Sequence, residues 1–298
     1  NSASISGSGA NGIAIGSTAI VSITGINGIA IGNTAKVTGI NSIAIGNNAG
    51  AGVLEGGNNI SIGLNAGNSF TGALAVDNIS IGQSAGTAIT TGGMNICIGS
   101  SAGSGITGGT GNICMGQSAG SAINNGANNI CIGPSSGLAI TGGTGNICIG
   151  LEAGRAIVNG GSNVCMGTLA GSLLTSGENN TLIGPNAGNA ITVGINNVCM
   201  GINSDVNAAL TSAIAIGNGA VISGSGTNGI AIGIAAKVTG LYSIAIGTSA
   251  GAGTLEGGNN ISIGQNAGDG FNSDLATDNV CIGPSAGTAI LSGANNIC

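Results

Sequence analysis

Cysteine is the residue type whose chemistry and spacing together demand an explanation in this chain. Cys97, Cys114, Cys131, Cys148 and Cys165 follow one another at 17-residue intervals, inside the words NICIG, NICMG, NICIG, NICIG and NVCMG. Such a column reads in three ways: as metal ligands, as disulfides, or as small apolar packing residues. A structural metal takes about four converging ligands. A straight column supplies only neighbours above and below, although three chains around an axis would bring three thiols together. Disulfides between rungs suit the strand spacing of about 4.8 Å, but side chains projecting in parallel hold their Cβ atoms beyond the usual ~3.8 Å. Cross-chain pairing is the other disulfide form. The packing reading comes from the column itself, where Ala44, Ser61 and Ser80 stand in the cysteine's place.

Other chemistry is scarce. The chain has 298 residues with no His and no Trp, and its nine acidic residues are scattered. Acid–base and nucleophilic catalysis need paired groups that converge in a cleft. No enzyme, metal site or cofactor is therefore expected. Glu55/Glu256 and Asp77/Asp278 are equivalents about twelve rungs apart rather than neighbours. The string Gly105-Ile106-Thr107-Gly108-Gly109-Thr110-Gly111 lacks the lysine of a phosphate loop and any helix after it, so it reads as a corner. With three basic residues and a net charge of −6, there is no basic footprint for nucleic acid. No apolar run approaches the ~20 residues of a membrane span, so no membrane insertion is expected. Only 4% of residues are charged and mean hydropathy is +0.49, which argues against disorder.

The elements that must carry these residues are repeats. The glycine of the [IV]-x-[ILM]-G word recurs from Gly16 to Gly283 at spacings of 14 to 19 residues, with seven consecutive spacings of 17. Residues 213–298 copy 12–97 without a gap at an offset of 201, so a long repeat begins again. Period-2 alternation of β-branched residues between Gly and Asn reads as a strand. A second short strand is expected in most units, as at Ala88-Ile89-Thr90 and Ala139-Ile140-Thr141. Units this short cannot bury a face alone, and stacking them gives a parallel β-solenoid. The expected fold is all-β, a single solenoid over residues 1–298 with about eighteen rungs. Both ends fall inside a repeat, which reads as a fragment of a longer fibre.

Three columns of this solenoid carry expectations. Asn95, Asn112, Asn129, Asn146 and Asn163 precede successive strands and are expected to form a structural ladder of stacked side-chain amides. The middle position of the word runs through Ala44, Ser61, Ser80, Cys97, Cys114, Cys131, Cys148, Cys165, Cys199 and Cys281. With the flanking Ile residues taken as interior, this column faces outward. A long strip of small apolar side chains then implies burial against another chain, an oligomer interface. Phe70 and Phe271, the only phenylalanines, sit in the two 19-residue units. Each is either a recognition point on a protruding loop or a plug for a wider coil.

The words Asn41-Ser42-Ile43-Ala44-Ile45-Gly46, Asn27-Gly28-Ile29-Ala30-Ile31-Gly32 and Tyr242-Ser243-Ile244-Ala245-Ile246-Gly247 resemble the repeat of trimeric autotransporter adhesin heads of the YadA type. Related 17-residue words occur in phage and viral fibres. The resemblance implies a left-handed β-roll, three chains side by side, and an extracellular stalk or head on a cell or virion that binds host or matrix. The alternative is an ice- or crystal-binding solenoid, suggested by Thr90, Thr107, Thr141, Thr175 and Thr192.

Overall fold

A computed structural model describes residues 2–6, 11–22, 24–52, 56–253, 257–271, 273 and 275–298. Glu55 and Glu256 lie outside the described residues. The fold is an all-β parallel solenoid of about 16 turns, with no helix among the described residues. It divides into two compact units, Asn1–Asn159 and Gly160–Cys298.

In the first unit, nine three-residue strands pair in parallel and in register, from Ile13–Ile15 through Ile96–Ile98 and Ile113–Met115 to Ile147–Ile149. In the second, eight such strands run from Val164–Met166 to Val280–Ile282. Register is strict: Cys97 opposes Cys114, which opposes Cys131, which opposes Cys148. The strands stop after three residues because the glycine that follows leaves the extended region. Gly116 has φ +130°, and a Cβ there would lie 2.8 Å from the carbonyl carbon and oxygen of Gly133 in the next coil. Only glycine permits that conformation together with that approach.

Among the described residues, a second strand per coil is present only in the shorter units. Ser4–Ile5, Ile20–Val21 and Lys36–Val37 form one three-stranded sheet, and Asp205–Val206, Val221–Ile222 and Lys237–Val238 form another. The strands expected at Ala88–Thr90 and Ala139–Thr141 are bends and turns instead. Their hydrogen bonds give the reason. The amides of Thr90, Thr91 and Gly92 all converge on the Thr107 carbonyl, at 3.0, 3.1 and 3.2 Å, and those of Thr141, Gly142 and Gly143 converge likewise on that of Val158. A β-ladder pairs one donor with one acceptor, and three donors on one oxygen curl the chain.

The interior corrects the orientation expected for the word. In a 17-residue coil the buried side chains are Cys114, Ala119, Ile123 and Asn129, all at 0% exposure, whereas Ile113 is half-buried and Met115 is exposed. The middle position points into the coil and the flanking aliphatics point out. The physical reason is width. Ile106 reaches across from the opposite wall, and its Cδ1 would lie 2.9 Å from a Cβ on Gly103, a Cβ that would also collide with the Cys97 Sγ. With Ile filling the centre, the strand contributes a small side chain there in most coils, and Leu182 is the one large exception among the described residues, also at 0% exposure. Phe70 and Phe271 are likewise interior, at 0% and 4% exposure, so neither is a recognition point on a protruding loop. They take the place that Ile89 and Ile106 hold in other coils. The Phe70 ring packs over Gly67, where a Cβ would lie 2.6 Å from Cε2. In its coil the strand contributes only Ser61 or Ser80, and the larger ring fills the space a cysteine would share.

Candidate functional site

The asparagines before the strands are held at fixed geometry in each unit. Asn112 Nδ2 donates to Asn95 Oδ1 at 3.0 Å and to the Gly126 carbonyl at 2.9 Å. Its own Oδ1 accepts from the Asn129 main-chain N–H at 3.0 Å and from Asn129 Nδ2 at 3.1 Å. The same pattern links Asn78 to Asn95 and Asn129 to Asn146, and in the second unit Asn163 to Asn180. These side chains are fully buried, and a primary amide can donate to the rung on one side while accepting from the rung on the other. The residue before each asparagine adopts a left-handed φ, 57° at Asn128 and Asn179 and 67° at Gly111 and Gly145. That turn aims the amide along the stack.

The column expected to be an oligomer interface does not reach the surface. Ala44 and Ser61, Ser80, Cys97, Cys114, Cys131, Cys148, Cys165, Cys199 and Cys281 are 0–2% exposed in a single chain and lie inside the coil. A residue enclosed by its own chain has no surface to offer a partner. The apolar surface belongs to the neighbouring positions, which the sequence reading placed inside. In the first unit the columns Ile96, Ile113, Ile130, Ile147 and Ile98, Met115, Ile132, Ile149 flank the cysteines, half-buried or exposed. In the second unit Met166, Met200, Ile246 and Ile282 are exposed in the corresponding place. The signal was present in the word itself, since its two largest apolar residues share one face.

One cysteine pair is joined. Cys281 and Cys298, 17 residues and one rung apart, form a disulfide with Cα atoms 4.7 Å apart. In-register rungs therefore do admit the bond, contrary to the expectation from parallel Cβ vectors. Among the described residues no group of three or more His, Cys, Asp or Glu is placed to hold a metal ion, and no helix is long and apolar enough to cross a membrane.

The threonine hydroxyls are engaged within the coil wall. The Oγ1 atoms of Thr90, Thr141, Thr175 and Thr192 donate to the carbonyls of Thr107, Val158, Thr192 and Ala208 at 3.0–3.3 Å. Asp205 stands apart as a half-buried acid beside a groove lined by Ala190, Asn203, Val221 and Ser223. Burial pushes its carboxyl above the ordinary value of 3.8, against the pull of the Ala190 and Val206 amides at 3.0 and 2.9 Å. A carboxyl whose folded pKa is raised favours the folded state when protonated. Stability from this group is present below its unfolded pKa and is lost as pH rises through the folded one. The Asp205→Asn variant is expected to flatten that decline in a series of thermal midpoints between about pH 3 and 7. An unchanged slope would assign the decline to other groups.

Parallel strands, a buried asparagine ladder and an apolar outer sheet face define a structural solenoid. Two stretches, residues 24–49 and 225–250, match the YadA head domain repeat. They are the same part of the long repeat, and they coincide with the narrow coils that carry Lys36–Val37 and Lys237–Val238. The two copies and the parallel solenoid together fit the head of a YadA-like trimeric autotransporter adhesin. Heads of this kind are homotrimeric, surface-exposed adhesive domains rather than enzymes. No curated protein matches the chain.

Proposed function

We propose that this chain is a segment of an extracellular adhesive fibre, in which three copies lie side by side and cover one another's Ile and Met faces. The observation that supports it is the outer face of the main sheet. In a lone chain Met115, Met166 and Met200 are each 38% exposed beside rows of half-buried Ile, and neither flanking column contains a charged residue. Apolar strips that repeat on successive rungs are not left open on soluble monomers, and closed rotational symmetry is the common way to cover them. The fibre stands on a cell or virion surface, and its far partner is a host or matrix surface.

The test is the oligomeric state. The wild-type chain is expected to sediment as a trimer, and a variant carrying Ile132→Glu and Ile149→Glu as a monomer with unchanged β-sheet circular dichroism. Two charges left unpaired in a closed interface weaken association by about 3–5 kcal/mol. A monomeric wild type would remove the trimer. Against the ice-binding alternative stand the threonine donors already spent on carbonyls. Thermal hysteresis in a solution of the purified chain would revive it.

A further inference from the structure

Four buried cysteines outside the Cys281–Cys298 bond occupy consecutive rungs of the first unit, and the packing role does not account for why all four are cysteine. Ala44, Ser61 and Ser80 show that smaller groups fit this column. Cys97, Cys114, Cys131 and Cys148 are direct Cα partners from rung to rung, the same 17-residue relation that joins Cys281 to Cys298. We infer that the column is a site of disulfide stapling, in which Cys97 bonds to Cys114 and Cys131 bonds to Cys148, each bond tying one coil to the next.

The pairing is counted from the Ser80 end of the run. Ser80 opposes Cys97 on its other side, so Cys97 has one in-register partner, Cys114, and Cys131 then pairs with Cys148; Cys165, 17 residues further on in the sequence, is left over as the odd thiol. Each closure breaks two S–H bonds and forms one S–S bond. The two protons and two electrons pass to a small disulfide oxidant such as oxidised glutathione, which is split into two thiols. A dry interior favours this product over a thiolate–metal chain, because a disulfide carries no charge to desolvate. The thiols are fully enclosed. An enclosed thiol is out of reach of a dissolved oxidant and exchanges slowly, so the bonds are laid down as the coils stack and not afterwards. Cys199 is the internal control: its in-register neighbours are Leu182 and Ala215, and it stays a thiol.

The experiment compares the full chain made in an oxidising secretory compartment with the same chain made in a reducing cytosol. Both are denatured, alkylated without reductant, weighed and mapped by peptide mass. The oxidised sample is expected to carry Cys97–Cys114 and Cys131–Cys148, to bear two fewer alkyl groups per bond than the reduced one, and to be alkylated at Cys165 and Cys199. Alkylation at all four positions, or bonds between chains, would overturn the inference, as would Cys114–Cys131 as the main species. The double variant Cys97→Ser, Cys114→Ser places in the column a residue it already accepts, and is expected to retain Cys131–Cys148 alone. Loss of that second bond in the variant would also refute independent stapling by pairs.

Discussion

Replacing Asn112 by alanine is expected to cost about 2–6 kcal/mol, because two buried main-chain groups lose their partners at about 1–3 kcal/mol each. Among the described residues, the side chain of Asn112 is the hydrogen-bond partner of the Asn129 N–H and of the Gly126 carbonyl, at 3.0 and 2.9 Å. No side chain of alanine's size can reach either. Asn95 Oδ1 keeps one donor, the main-chain N–H of residue 112 at 3.0 Å, so the damage runs to one side of the rung. The isosteric Asn112→Asp variant should do no better near neutral pH. Its carboxylate would face two acceptors, Asn95 Oδ1 and the Gly126 carbonyl, and lowering the pH should restore part of the loss by returning a donor. Denaturant midpoints, with amide hydrogen exchange at Asn129, read both effects. An alanine variant within about 0.5 kcal/mol of wild type, the range of an ordinary surface change, would mean that the ladder contributes nothing to stability.

The second large effect is expected at Gly116→Ala, with a loss of about 4 kcal/mol or more from backbone strain and overpacking combined. Residue 116 has φ +130°, and its Cβ would press on main-chain atoms of Gly133 at 2.8 Å, which have no rotamer by which to move aside. Gly219→Asn is the contrasting case. That glycine has φ +65° with nothing within 4 Å of the new Cβ, and asparagine already holds the equivalent corner at Asn48 and Asn186 with φ 56° and 55°. It should fall within about 0.5 kcal/mol of wild type. Equal losses in the two variants would show that stacking distance at the word's glycine is not what limits the fold.

Much of this could be seen in the chain before any coordinates. The recurrence of one word at 14 to 19 residues set the solenoid, the parallel register and the alignment of like with like. The asparagine before each word signalled a stacked amide, because a polar residue repeated beside strand residues must satisfy itself along the axis. The absence of histidine set the chemistry expected of the chain. Resemblance in three narrow-coil words agreed with the two matched repeats.

What alternation cannot say is which of its two faces is inside. A period of two divides Ile96 and Ile98 from Cys97 but treats both sides alike, and hydrophobicity alone favours the larger residues for the core. The coil's width decided otherwise. Ile106 and its equivalents fill the coil from a stretch where the sequence shows only one apolar residue among glycines and threonines, and in most coils they leave room for a thiol, a hydroxyl or a methyl group, Leu182 being the large exception. The same crowding drew Phe70 and Phe271 inward and left the Ile and Met columns for the surface. Sequence determined the rungs and their stacking, since those depend on residues one repeat apart. Only the tertiary structure decided inside from outside, because that depends on how far two walls of one coil stand from each other.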